Sequence, residues 1–193
     1  GLPTPSISTQ AVPKSYVDGL ATGLIILPAS NFTTTTVLPN SPTYSNGTAG
    51  VGATLTAGAN AAIAVDGASP TMGQVILVKN QSSAFQNGIY SVTTVGSVSV
   101  PWVLTRVTYF DTSAEMLKGS YTAVTGGSTQ AGSSWVLTDD VTTVGTTDVV
   151  FNQFSQLVAG GTNGQVQVNN SGSFGGLTNT QLTALVQPFT SSL

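Results

Sequence analysis

Gln74-Val-Ile-Leu-Val-Lys79, followed after a polar stretch by Asn87-Gly88-Ile-Tyr-Ser-Val-Thr93, is the passage on which the fold turns. Val, Ile and Tyr suit a pleated, half-buried surface. Asn87-Gly88 supplies turn chemistry between the two runs. The passage therefore reads as an antiparallel strand pair joined by an irregular loop. On either side, from Asn31 to Ser155, no 3.6-residue period is found. Short Val/Ile/Thr-rich runs alternate instead with Gly, Asn, Asp and Pro, the pattern of an all-β body. The expected fold is mainly β, an antiparallel β-sandwich or barrel-like domain over residues 29–157.

Two later runs share Trp-Val-Leu-Thr, at Trp102 to Thr105 and Trp135 to Thr138. Alternation along a strand puts each Trp on the same face as the Leu that follows. Both indoles read as core or intersubunit anchors because each brings a large apolar area. Trp135, beside the Gly- and Ser-rich stretch from Gly126 to Ser134, is the one candidate for a glycan contact.

Composition narrows the function classes. The 193 residues are 40% hydrophobic and only 6% charged, with a formal net charge of -3. An average soluble domain carries about 25% charged residues, so hydroxyls and amides must solvate this one. Four basic residues (Lys14, Lys79, Arg106, Lys118) cannot neutralise a run of phosphates, and nucleic acid is not an expected partner. No cysteine or histidine occurs. Disulfides, thiolate and imidazole metal sites, and Ser-His-Asp or Cys-His catalysis are thus excluded. No apolar run approaches the roughly 18 residues of a membrane span, and no secretory signal is read.

The flanks differ from the body. Residues 1–28 begin with a Pro-punctuated polar arm that reads as extended. A short helix over about Pro13 to Thr22 follows, with Pro13 in its first turn and Tyr16, Val17, Leu20 and Leu24 on one stripe. A helix so short is marginal alone, and these four residues are the expected contacts of self-association in a homotrimer. A chain with so little charge meets little like-charge repulsion between copies. The alternative is that the stripe packs on its own β domain. Residues 158–193 read as a linker, a small β unit with a strand near Gln165 to Val168, and a short helix from Thr178 to Val186.

Candidate chemistry is sparse. Asp111 with Glu115, or Asp139 with Asp140, are the carboxylate pairs available for glycoside hydrolysis. Asp139 and Asp140 read first as a solvated turn, then as calcium ligands, and only last as catalysts. Arg106, the sole arginine, is expected in a salt bridge or cross-strand hydrogen bond, with Asp111 or Glu115 as partners. Gly47-Thr-Ala-Gly-Val-Gly52 lacks the Lys-Ser/Thr of a phosphate loop and reads as an ordinary loop. No catalytic, cofactor or metal residue is assigned.

Several motifs in order are familiar. These are Thr43-Tyr-Ser-Asn-Gly-Thr-Ala-Gly-Val-Gly-Ala-Thr-Leu-Thr56, Asp66-Gly67, Val75-Ile-Leu-Val-Lys-Asn-Gln81, Asn87-Gly-Ile-Tyr-Ser-Val92, Pro101-Trp-Val-Leu-Thr-Arg106 and Gly145-Thr-Thr-Asp-Val-Val-Phe151. Together they resemble a module of tailed-bacteriophage tail-fibre and related virion fibre proteins, over about Ala29 to Gln156. Lys14-Ser-Tyr-Val-Asp-Gly19 is similar to the helical lead-in that often precedes this module, and Gly161 to Val168 to a repeat farther along such fibres. The resemblance implies an external, trimeric virion appendage whose N-terminal side docks on another virion protein and whose distal part meets the host surface. It implies no catalytic residues. The stretch ending at Leu193 shows no receptor-binding tip and reads as the proximal portion of a longer fibre. A tail-fibre segment is the leading expectation, a capsid-attached head fibre or decoration protein the alternative, and a glycan depolymerase the third reading.

Overall fold

A computed structural model describes residues 24–156, 167–170 and 173–176. Within the first unit, which ends at Gln156, ten strands form two sheets. They are β1 (Ile25–Ile26), β2 (Phe32–Thr33), β3 (Thr43–Ser45), β4 (Thr54–Thr56), β5 (Val75–Val78), β6 (Gly88–Thr94), β7 (Val103–Arg106), β8 (Ser120–Ala123), β9 (Ser133–Leu137) and β10 (Phe151–Gln156). One sheet has the order β2-β5-β6-β7-β4-β3 and the other β1-β8-β9-β10. The mainly β expectation holds, and the arrangement is consistent with a sandwich.

The opening passage is the centre of the six-stranded sheet. β5 and β6 pair antiparallel from Val75↔Ser91 to Val78↔Gly88, and the only helical turn between them is a 3-10 turn at Ala84–Gln86. Both strands are buried on two faces, which is why they read as unbroken apolar runs rather than alternating ones. One face, with Ile76, Val78, Tyr90, Val92, Leu55 and Leu104, packs under Leu38, Ile63, Val65 and Trp102. The opposite face, with Leu77 and Ile89, meets Leu137 and Phe151 of the four-stranded sheet together with Phe110, Met116, Val141, Val144 and Val149. Trp102 and Leu104 are both fully buried, as their shared parity predicts.

One correction concerns strand direction. The sheets are mixed rather than purely antiparallel: β1 runs parallel to β8, and β2 parallel to β5. Residues 25–33 are the cause. This one short segment leaves the first sheet and enters the second, so neither of its strands is oriented by a hairpin turn. Ser30 makes a further parallel bridge to Val124 between the two strands.

Of the expected trimer contacts, Tyr16, Val17 and Leu20 lie outside the described residues, as do the helix expected over Pro13 to Thr22 and that over Thr178 to Val186. In the second unit, residues 157–193, β11 (Gln167–Asn170) and β12 (Ser173–Gly176) form an antiparallel hairpin with Asn170 opposite Ser173. The strand runs past the expected Gln165 to Val168 stretch, because Asn169 and Asn170, expected in the turn, pair with Phe174 and Ser173 and extend the ladder.

Candidate functional site

The motif residues converge on one buried polar knot beside β6. Asn87 closes the 3-10 turn and is 3% exposed. Its side-chain oxygen accepts from the Gln81 backbone N–H at 2.9 Å, and its side-chain amide donates to the Val149 carbonyl at 3.1 Å. Its own carbonyl accepts from Arg106 Nη1 at 3.1 Å. Arg106, 2% exposed, also donates from Nη2 to the hydroxyls of Tyr90 at 2.8 Å and Tyr44 at 3.3 Å. Its guanidinium carbon lies 4.8 Å from the Tyr90 ring centroid. Tyr90 in turn donates to the Gln86 carbonyl, and burial holds its phenol well above the usual range, with Arg106 opposing. Gly88 allows this approach: any Cβ there would strike the Arg106 guanidinium, and its φ of +149° is one that L side chains rarely adopt.

Of the two roles expected of Arg106, the cross-strand hydrogen bond is the one found, since Tyr90 lies opposite it on β6. The guanidinium finds tyrosine hydroxyls and a backbone carbonyl, not the carboxylates of Asp111 or Glu115. Asp111 acts on it only through space. The buried guanidinium is held by neutral oxygens through Nη1 and Nη2, while its Nε has no hydrogen-bond partner, and no second charge is desolvated beside it.

Asp111 and Glu115 do come together, but not in a catalytic geometry. Thr112 donates to Glu115 Oε2 from its backbone at 3.1 Å and its hydroxyl at 2.9 Å, and Asp111 donates from its backbone at 3.2 Å. Burial, the Glu115 charge and a hydrogen bond between the two carboxyls raise Asp111, while Arg106 opposes. Burial pushes Glu115 upward too, yet the hydrogen bonds from Thr112 and Asp111 outweigh it and leave Glu115 below its usual range. The Asp111 carboxyl is thereby shifted up and the Glu115 carboxyl down. Glycoside hydrolysis instead needs carboxyls about 5–5.5 Å or 6.5–9.5 Å apart, with the sugar linkage between them. Asp139 and Asp140 are exposed, and Asp140 Oδ1 accepts from the Lys118 backbone at 2.7 Å, as a turn residue does. Among the described residues no group of three or more Asp or Glu side chains is placed to hold a metal ion.

Trp135 stands in a second cluster, at the margin of the sandwich core. It is half-buried, packs against the lower core and donates from Nε1 to Ser133 Oγ at 3.0 Å. Lys79 Nζ lies 4.0 Å from the centroid of its ring, a cation–π contact, and bonds Asn80 Oδ1 at 3.0 Å. Burial lowers Lys79, with Asp66 opposing. Asp66, at a φ of +47°, binds the loop before β9: its carboxylate accepts from the Thr129 backbone and hydroxyl and from the Gln130 backbone. These bonds, with help from Lys79, overcome the effect of burial and bring Asp66 below its ordinary value. One face of the indole is thus taken by Lys79, which the sequence did not suggest. Leu24, the remaining expected trimer contact, is 42% exposed.

A cleft of about 290 Å³ is lined by Val37, Leu38 and Pro42 on one hand and by Ser41, Gln81, Ser82, Ser83 and Gln86 on the other. The Gly47 to Gly52 stretch is a tight loop as expected, bridged at Thr48↔Val51, with Gly50 pressed against the Asp111 carbonyl and Val144. Comparison of the chain with protein-family models, with curated proteins and with solved structures gives no match.

Proposed function

We propose that this chain is a structural module of a tailed-bacteriophage fibre, a homotrimeric tail-fibre segment on the outside of the virion that links the particle to host-surface recognition. One observation carries the reading. The motifs that resemble fibre modules are the residues that knit the fold: Gln81, Asn87, Tyr90 and Arg106 form the buried knot, and Trp102 plugs the core while bonding Asn40. Residues so used support shape rather than turnover. The near-uncharged composition fits a surface that packs alongside copies of itself.

The test has two arms. Sedimentation of the full chain is expected to give a trimer, and antibody-labelled electron microscopy of the particle is expected to place the chain on tail fibres. Label on capsid faces or vertices would select the head-fibre alternative, where a three-fold must match the local symmetry. A reducing-sugar assay on host polysaccharide, with Asp139→Asn and Asp140→Asn, checks the depolymerase reading. Cleavage abolished in both variants would replace the structural function with an enzymatic one.

A further inference from the structure

The cleft beside residues 39–42 has two walls, each tied into the core. One is a turn in which Asn40 and Ser41, at φ +64° and +43°, are consecutive left-handed residues between Pro39 and Pro42. Asparagine tolerates that conformation, whereas serine keeps it only where the surroundings enforce it. Here they do. Trp102 Nε1 donates to Asn40 Oδ1 at 3.2 Å, and the Gly58 N–H donates to the Asn40 carbonyl at 2.8 Å. A Cβ on Gly58 would stand 2.9 Å from both the Asn40 and the Ser41 carbonyl oxygens. The other wall is the 3-10 turn at Ala84–Gln86, fixed by the Tyr90 hydroxyl, which donates to the Gln86 carbonyl at 2.6 Å. Gln81 ties the walls together: its Oε1 accepts from the Leu38 N–H at 2.9 Å, and its own N–H donates to Asn87 Oδ1.

Polar groups in this cleft are uncommitted. Ser83 is the N-cap of the 3-10 turn, where a serine hydroxyl ordinarily accepts from a backbone amide, and it makes no such bond. The Ser41 hydroxyl and the Gln86 side-chain amide likewise have no hydrogen bond to another described residue. Val37, 51% exposed, and Pro42 add apolar surface to the same cleft, and no charged residue is among those that line it.

We propose that this cleft binds a neutral saccharide, one pyranose ring at a time. A pyranose carries hydroxyls around its rim and C–H groups on its faces, so it needs hydrogen-bonding groups and apolar contact together, without a counter-charge. Ser41, Ser83 and Gln86 supply the first, Val37 and Pro42 the second. At about 290 Å³ the cleft is close to the lower limit of small-molecule sites, about 300 Å³, which is room for one ring. Hydrogen-bonding groups carried on fixed walls need little further ordering on binding. That accounts for a strained serine at position 41, where glycine would relieve the backbone but bring no hydroxyl. Trp135, the indole expected to meet glycan, has Lys79 over its ring and lies outside this cleft. The site is complete within one copy of the chain and does not depend on the homotrimer.

Saturation-transfer NMR on the full chain tests the assignment, with the methyl glycosides of glucose, galactose, mannose, rhamnose and N-acetylglucosamine as probes. At least one should receive transfer mainly at its ring C–H protons and titrate in the millimolar range, as expected of a single ring with few contacts. A Ser83→Ala, Gln86→Ala double variant with the wild-type circular dichroism keeps the backbone bonds of the turn and should bind at least tenfold more weakly. Ser41→Gly relieves the left-handed strain and should unfold at higher urea, yet bind at least threefold more weakly. No transfer to any glycoside overturns the proposal, as does transfer that the double variant leaves unchanged, which would move the sugar to another surface. Full binding by Ser41→Gly would also overturn the site as drawn. A preference for the uronides of glucose or galactose over all the neutral probes would overturn the neutral-ligand assignment, because a bound carboxylate needs a charged partner that the cleft lacks. Binding of a hexaproline peptide and of no glycoside would make the cleft a peptide groove instead.

Discussion

Asn87→Ala should be among the most damaging small substitutions in this chain. The change removes a side chain that is 3% exposed and strips two backbone groups of their partners, the Gln81 N–H and the Val149 carbonyl. A buried polar group left unsatisfied costs about 1–3 kcal/mol. Gln81 is only partly buried, so its amide can recover water and belongs at the low end. Val149 is 0% exposed, and its carbonyl belongs toward the high end. The expected loss is about 2–4 kcal/mol, or a fall in Tm of roughly 8–16 °C for a domain of this size. Urea unfolding followed by tryptophan fluorescence, at a fixed protein concentration because association shifts the midpoint, measures it. A loss below about 1 kcal/mol would mean that neither backbone group depends on Asn87, and the knot would not be the lock described above.

Trp102→Ala should cost about 3–5 kcal/mol, since the indole is 0% exposed and bonds Asn40; urea midpoints decide, and a loss under about 1 kcal/mol would contradict its burial. Asp111 has a folded pKa above its ordinary 3.8, so its stabilising effect is full below that value and is lost as pH rises through the folded one. Asp111→Asn, which keeps a donor toward Glu115 without the charge, should therefore gain on wild type at pH 7 and lose that gain near pH 3.5. A variant that gains instead on acidification refutes the carboxyl pair. Asp66 has the opposite sign: its folded pKa lies below 3.8, so it stabilises above that value and the effect disappears as pH falls through the folded one. Asp66→Asn should flatten the acid limb of the stability curve below about pH 4, and unchanged acid unfolding would show that the clasp on residues 128–130 carries no weight.

The sequence revealed local structure well and long-range pairing poorly, for physical reasons visible at particular residues. Gln74 to Lys79 and Gly88 to Thr93 showed their pairing because an Asn-Gly turn and two unbroken apolar runs lie close in sequence. The parallel pairings of β1 with β8 and β2 with β5 join residues far apart, and no turn residue advertises such a partner. Trp102 and Trp135 open the same tetrapeptide and obey the same alternation, yet one lies among the inner strands of the wider sheet and the other at the margin beneath Lys79. Neighbours from elsewhere in the chain made the difference. Arg106 was legible as a cross-strand tie, but its partners were not, since tyrosine hydroxyls carry no charge signature in a sequence. Carboxylate spacing brought Asp111 and Glu115 to attention, and only the fold showed Thr112 donating to Glu115 from both its backbone and its hydroxyl.

The mixed sheet order carries a mechanical consequence. β1 is parallel to β8, β8 is antiparallel to β9 and β9 to β10, so β1 and β10 point the same way at opposite edges. The chain therefore enters the sheet at one end of the strand axis, at Ile25, and leaves it at the other, at Gln156. Tension drawn between those two points acts along the strands and strains the interstrand bonds together, in shear, instead of peeling them apart one after another. If β1 does slip, the load passes to β2, held by Asn31 to the Val75 carbonyl and by Thr34 to the Leu77 carbonyl, in the other sheet. Force spectroscopy on the chain tethered at Leu24 and Gln156 should accordingly record two successive rupture events, where a single low-force unzipping would contradict this load path.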